Sequence, residues 1–209
     1  MPDSGVFDMY RLQATAISPG TSMTNAVLSP DVNPWGATNA KGFYYVETSE
    51  TLKIERVRLH GTLIVRCSGK GKVEVKSRNL LENYDSSAPV LLVDGDLDLG
   101  LDSDSKLLDE AEAGVNYNPV GTPYEGAIDA DQSDTYPNEV RGLVHVLGKL
   151  KVDKTRIRGT AISEESVELK GDNALVELIH DEDIYNNPPT GYGSSSGKVR
   201  PGSWKQAVD

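Results

Sequence analysis

From Gly42 onward, apolar and polar residues alternate in short runs, and glycines fall where one run gives way to the next. Alternation with a period of two marks a strand that buries one face. It predicts strands at Phe43–Val46, Leu52–Ile54, Val57–Val65, Val73–Val75, Val90–Val93 and Leu97–Leu99. After a long break the pattern resumes at Leu143–Val146, Leu150–Val152, Ile157–Ile162, Val167–Leu169 and Leu175–Ile179. These runs are too short and too evenly spaced for a helical protein. The exception is Lys106–Ala113, where Leu107, Leu108 and Ala111 suit one or two helical turns.

The pattern also repeats in kind. Arg56-Val57-Arg58-Leu59-His60-Gly61-Thr62-Leu63-Ile64-Val65 returns as Lys154-Thr155-Arg156-Ile157-Arg158-Gly159-Thr160-Ala161-Ile162-Ser163, and Leu52-Lys53-Ile54 returns as Leu150-Lys151-Val152 in the same frame. A shorter copy pairs Val93-Asp94-Gly95-Asp96-Leu97-Asp98-Leu99 with Val146-Leu147-Gly148-Lys149-Leu150-Lys151-Val152. Units that cannot bury an apolar face alone stack on one another. An antiparallel sandwich also supplies many short strands, but it gives no reason for the same side-chain order to recur in the same direction. The expected fold is therefore all-β, a single-chain right-handed parallel β-helix, with Gly61 and Gly159 at a corner that needs positive φ or close packing.

One domain over residues 1–209 is expected. Residues 1–40, rich in Ser, Thr, Pro and Asn, read as a cap or wrapped segment rather than a rung. Residues 41–180 carry the rungs, interrupted by an insertion over about 101–138. Residues 181–209 form a tail, with a turn at Asn186-Asn187-Pro188-Pro189, a Gly/Ser loop from Gly191 to Gly197, and Trp204 expected to dock on something apolar.

A net charge of −11 argues against a nucleic-acid partner, which needs a basic stripe. Lys53, Arg56, Arg58, His60 and Arg66, and Lys149, Lys151, Lys154, Arg156 and Arg158, alternate with apolar residues and read most simply as the solvated face of strands. The single cysteine, Cys67, excludes an internal disulfide and reads as structural. No stretch has the apolar length to span a bilayer and no signal peptide is visible, so the chain as given reads as soluble, with no membrane contact of its own.

Two acidic groups invite a metal. Asp94, Asp96, Asp98, Asp102 and Asp104 fail the EF-hand pattern, because Leu99 and Ser105 stand where glycine and glutamate are needed. Asp129, Asp131 and Asp134, on a loop without apolar alternation, are the better metal candidates, and calcium is the cofactor they suggest. Tyr117, Tyr124 and Tyr136 make the insertion the expected ligand-binding segment. Sugar-cleaving β-helices set paired carboxylates on adjacent rungs; Asp94, Asp96 and Asp98 would meet Lys149, Lys151 and Asp153 if the copies stack, though charge ladders explain such neighbours more simply. His60, His145 and His180 show no ligand spacing.

Several segments together resemble a family. Asn33-Pro34-Trp35-Gly36, Gly42-Phe43-Tyr44-Tyr45-Val46, Gly61-Thr62-Leu63-Ile64-Val65, Leu91-Leu92-Val93-Asp94-Gly95-Asp96-Leu97, Gly114-Val115-Asn116-Tyr117-Asn118-Pro119, Arg141-Gly142-Leu143-Val144-His145-Val146, Asn186-Asn187-Pro188-Pro189 and Pro201-Gly202-Ser203-Trp204 carry the likeness. They resemble uncharacterised bacterial β-helix domains found in type IV pilin-like and pilus-assembly-like exported proteins, with rungs similar in style to bactofilins. That resemblance implies an extracytoplasmic, non-catalytic structural or adhesive module, with envelope or pilus proteins or a surface carbohydrate as partner. The alternatives are a carbohydrate-binding or polysaccharide-cleaving module, and a bactofilin-like self-assembling scaffold.

Overall fold

The computed structural model describes residues 5–102, 106–170 and 175–193; Trp204, its Pro-Gly-Ser-Trp segment and Asp104 lie outside them. A short helix, α1 (Val6–Arg11), precedes β1 (Thr15–Ala16) and β2 (Ser22–Leu28). Next come β3 (Phe43–Thr48) and the long β4 (Thr51–His60), then β5 (Thr62–Cys67), β6 (Lys72–Ser77) and β7 (Leu80–Glu82). After β8 (Leu91–Asp94) and β9 (Asp96–Leu101) the insertion adds β10 (Leu108–Asp109), α2 (Glu110–Ala113) and β11 (Thr135–Tyr136). The chain returns through β12 (Glu139–Val146), β13 (Lys149–Asp153), β14 (Thr155–Ser163), β15 (Ser166–Leu169), β16 (Val176–Ile179) and α3 (Glu182–Asn186).

Fourteen of these strands form one sheet in which every pairing is parallel. Its register resolves into three ladders. The first runs β1, β3, β5, β8 and the second halves of β12 and β14. The second runs through the first halves of β2 and β4, then β6, β9, β13 and β15. The third takes the second halves of β2 and β4, then β7, the first halves of β12 and β14, and β16. The chain visits the three in the same order on each pass.

The repeat in the sequence is this register. Val146 pairs with Val93 and Leu150 with Leu97, so the short copy lies directly against its original. Aliphatic columns follow. Leu52, Val73, Leu97 and Leu150 align in the second ladder, and Leu59, Leu81, Val140 and Ile157 in the third. All are buried in one cluster that also takes Leu63, Leu91 and Val144 from the first ladder. β-branched and leucine side chains in stacked parallel strands pack this way because both neighbours present the same shape.

Two corners repeat. Between the third and first ladders, Gly61 stacks on Gly42, and Gly159 on Gly142. A Cβ at Gly61 would overlap the Gly42 carbonyl oxygen, and one at Gly159 would overlap that of Gly142. Close approach is thus the constraint at Gly61, while Gly159 combines it with a φ of 137°. Between the second and third ladders the turn is made by single left-handed residues, Asn25, Arg56 and Lys154, with φ of 49°, 51° and 45°. The sequence predicts Val57–Val65 as one strand, but it breaks at Gly61; it predicts a gap at Glu55-Arg56, where β4 turns its corner without one.

The segment expected only as a cap contributes more than covering. β2 pairs along β4 in both ladders and buries Met23, Ala26 and Leu28, so it adds a partial rung. Its polar residues hid the pattern: Asn25 sits at the corner and accepts from Arg56 Nε at 2.6 Å. α1 does cover, placing Val6 and Tyr10 against Phe43, Ile64 and Leu92.

We expect Gly61→Val to cost at least about 3 kcal/mol, because the clash is with backbone that cannot rotate away. Urea unfolding followed by circular dichroism measures it; a midpoint within error of wild type would show that the rungs are not held by this approach.

Candidate functional site

The insertion leaves the sheet after β9 and rejoins it at β12, so it springs from the corner between the second and third ladders. There it packs on the outer side of the third ladder. Leu108, Ala113, Tyr117 and Tyr136 form a second small core with Val27 of β2 and Leu80 of β7. Asparagines close the corner. Asn79 Oδ1 accepts from Val57 N at 3.0 Å, and Asn79 N donates to Asn138 Oδ1 at 2.9 Å.

At the centre of this contact is Arg58, expected as part of a solvated face and found to be 1% exposed. Its position is outward from the sheet, as alternation requires, but the insertion covers it. Nε and Nη2 donate to Glu82 Oε1 at 3.1 and 2.9 Å. Nη1 donates to the carbonyls of Tyr117 and Thr122 at 2.6 and 2.9 Å, and Nη2 to that of Pro123 at 2.8 Å. All five guanidinium N–H groups are thereby used. The group also lies over the rings of Tyr124 and Tyr136, at 5.3 and 5.9 Å from their centroids.

Glu82 balances this charge. Burial opposes its ionisation, and His60 and Arg58 together overcome that, holding the carboxyl below its usual range. Arg141, beside Glu82 in the ladder, places Nη1 at 3.7 Å from Glu82 Oε2 and donates from Nε to Glu139 Oε1 at 2.5 Å.

The three tyrosines expected as ligand contacts do come together, but their faces serve the loop's own packing. Tyr117 and Tyr136 are buried, edge to face at 5.8 Å, and Tyr124 meets Tyr136 at 4.9 Å. Tyr117 OH donates to the Arg56 carbonyl at 2.6 Å. Burial raises the phenol pKa of both Tyr117 and Tyr136, so neither ionises near neutrality.

Below this core the carboxylates converge. Single oxygens of Glu110, Asp129 and Asp131 lie within 4.8 Å of one another. Glu110, at the start of α2, is fully buried; it accepts from Tyr117 N at 2.5 Å, Tyr136 OH at 2.8 Å and Asp134 N at 3.1 Å. Asn118 Nδ2 spans Asp129 Oδ2 and Asp134 Oδ2 at 3.1 and 3.2 Å, bringing Asp134 to the group. Asp134 has a raised pKa from burial, then from its hydrogen bond with Asp129. Among the described residues no Lys, Arg or His forms an ion pair with any of the four. The sequence singles out Asp129, Asp131 and Asp134; it misses Glu110 and Asn118, which belong to a helical turn and to a loop without acidic clustering. An oxygen-only donor set of this kind suits a hard divalent cation.

The other acidic group behaves differently. Asp96 Oδ1 accepts from Lys149 N at 2.9 Å, Asp94 pairs with Arg66 at 3.3 Å, and Asp98 lies between Lys76 and Lys170 at 3.3 and 3.1 Å. Asp98, in register with Lys151, is buried rather than solvated because the long lysine stems cover it. Burial works against its charge, and Lys170 and Lys76 reverse that, lowering its pKa. Cys67 packs under Gly95 at the corner between the first and second ladders, and burial pushes its thiol up to about 11. His145 bonds to Tyr192 OH at 2.8 Å and to Glu164 Oε1 at 3.1 Å, remote in the ladders from His60.

No family model, curated protein or solved structure matches the chain. Among the described residues no helix is long and apolar enough to cross a membrane.

Two outcomes follow from the charged contacts. Arg58→Ala should destabilise by about 3–5 kcal/mol, since it strands a buried carboxylate and three carbonyls. Arg58→Lys should restore only part of this, having three donors on a point charge. Urea melts with limited proteolysis test both, and the insertion should be clipped first. The folded pKa of Asp98 is depressed, so its contribution is fully present above the ordinary aspartate value of about 3.9 and fades as pH falls through the folded value. Asp98→Asn should therefore lower the melting temperature at pH 7 and make it fall less between neutrality and pH 3; parallel curves for variant and wild type would remove Asp98 from the acid response.

Proposed function

We propose that the chain is a non-catalytic structural or adhesive module, a right-handed parallel β-helix whose three ladders close around the shared core and whose insertion is the contact surface. The invariant order of ladders and the single core that draws on all three support closure. The strong right-handed preference of parallel crossovers supports the hand. The observation that carries the non-catalytic reading is the outer face of the first and second ladders around their shared corner at Gly95. The carboxylates that sugar cleavage would recruit, Asp94, Asp96 and Asp98, are each held by a lysine or arginine or by backbone of a neighbouring strand. Such pairs align strands. Meanwhile Arg58 fastens the insertion to the stack, as a rigid display surface requires. An exported, envelope- or pilus-associated setting, with a surface carbohydrate or envelope protein as partner, is supported by the sequence resemblance.

End-to-end self-assembly is the second reading, favoured by one observation. Val167, Leu169 and Leu178, which continue the inward columns in β15 and β16, are 58%, 67% and 64% exposed among the described residues. Sedimentation over a hundredfold concentration range distinguishes it: growing oligomers that Leu169→Lys abolishes would replace the solitary module with a polymer.

For the main reading, incubation with insoluble acidic and neutral polysaccharides and with bacterial envelope fractions should show retention and no release of reducing or unsaturated ends. Product formation that Asp94→Asn or Asp98→Asn eliminates would make the protein an enzyme.

A further inference from the structure

We propose that a cavity at the corner between the third and first ladders binds one neutral pyranose unit of a surface polysaccharide. The proposal rests on the carbohydrate partner named above, and not on the insertion as its contact surface. The cavity has a volume of about 380 Å³, and its lining includes Tyr10, Gln13, Lys41, Phe43, Tyr84 and Asp85. Small-molecule clefts have this size and this make-up, an apolar floor with a few polar groups around it. Tyr10 and Phe43, both buried and edge to face at 5.4 Å, are the floor. Tyr84 is 52% exposed and meets His60 edge to face at 5.3 Å. The loop that carries Tyr84 is tied down on both sides. Asn83 Nδ2 donates to the carbonyls of Asp85 and Ala88 at 3.0 and 3.1 Å, and Asp85 Oδ1 accepts from Ser87 N and Oγ at 2.8 Å. The Ser87 carbonyl in turn accepts from Thr190 N at 2.9 Å and from Tyr10 OH at 3.2 Å. An exposed aromatic side chain on a loop fixed in this way is ready for a ligand, and little ordering entropy is lost on binding.

The rim selects the class of ligand. Lys41 Nζ spends one of its three donors on Gln13 Oε1 at 2.7 Å. Asp85 uses Oδ1 within its own loop, and its Oδ2 has no partner among the described residues. Neither Lys41 nor Asp85 forms an ion pair among those residues. An anion drawn to Lys41 would meet a carboxylate on the same rim, and a cation drawn to Asp85 would meet an ammonium. Hydroxyl groups satisfy both, because each one donates and accepts. A pyranose sets such hydroxyls around a face of C–H bonds, and that face packs on an aromatic ring, the part offered by Tyr84. An alkyl chain is a poor occupant, since Ala40 is the only aliphatic residue in the lining among the described residues.

The test uses the full chain with cellotetraose, maltotetraose and mannotetraose, read by saturation-transfer NMR and isothermal calorimetry. L-alanine and glucuronic acid are the zwitterionic and anionic comparisons. At least one tetraose should bind, one per chain, with a Kd of about 1 mM or tighter, and with no dependence on added NaCl, as a neutral ligand requires. Tyr84→Ala should keep the wild-type melting temperature, its side chain being exposed, and weaken binding at least about tenfold. Tyr84→Phe should bind as wild type does, because the ring and not the hydroxyl is used. Lys41→Met should also weaken binding, whereas Tyr185→Ala, at an exposed tyrosine of α3, should leave it unchanged. No tetraose bound by the folded wild type, equal affinity in Tyr84→Ala, or binding of L-alanine or glucuronic acid in place of the tetraoses would each overturn the assignment. Retention on polysaccharide that survives Tyr84→Ala would remove this cavity and leave the adhesive reading standing. Tetraose binding without retention on envelope fractions would do the reverse.

Discussion

Adjacent passes of the chain lie at the spacing of hydrogen-bonded parallel strands, about 4.8 Å, and most of this structure is a response to that distance. Side chains that share a column must have compatible shapes, so aliphatics stack on aliphatics. Where the path bends, backbone meets backbone, and Gly61 and Gly159 are the residues that allow it. On the outside, the same distance brings each ionised group within reach of those above and below. The Lys76–Asp98–Lys170 set and the Arg66–Asp94 pair are products of register as much as of attraction.

The insertion answers a different problem. A loop of this length needs its own apolar centre and must also meet a face of the sheet built for water. Arg58 reconciles the two. It keeps the outward position that alternation assigns, yet its guanidinium is satisfied by three loop carbonyls and Glu82, with aromatic rings across its plane. A hydrophobic residue there would bury as well but would leave those carbonyls without donors. The polar centre therefore selects one placement of the loop among the many that apolar packing alone would tolerate.

Much of the sheet was legible in the chain because stacked rungs repeat one rule. The pairing of Val93 with Val146 and of Leu97 with Leu150 follows directly from the internal copy. Ser22–Leu28 is not legible, since Met23 stands alone among Ser, Thr and Asn and the run Ala26-Val27-Leu28 does not alternate, which is too little to separate a rung from a wrapping segment. The burial of Arg58 is hidden from the sequence for a related reason. Sequence shows which side of a strand a residue occupies, but not what later arrives to cover that side. Of the acidic cluster, the three aspartates stand close together and could be found. Glu110 and Asn118 reach it only through the fold of the insertion, which no periodicity encodes.

The insertion departs after Leu101 and rejoins at Glu139, where the third ladder continues against Leu80 as though the excursion had not occurred. The rungs on either side keep their register, and closing a longer loop between fixed ends costs only a fraction of a kilocalorie per added segment. The stack and its branch can therefore change independently. Lineages sharing these rungs could carry quite different loops, and comparison of their ladders alone would reveal descent without revealing what each one grasps.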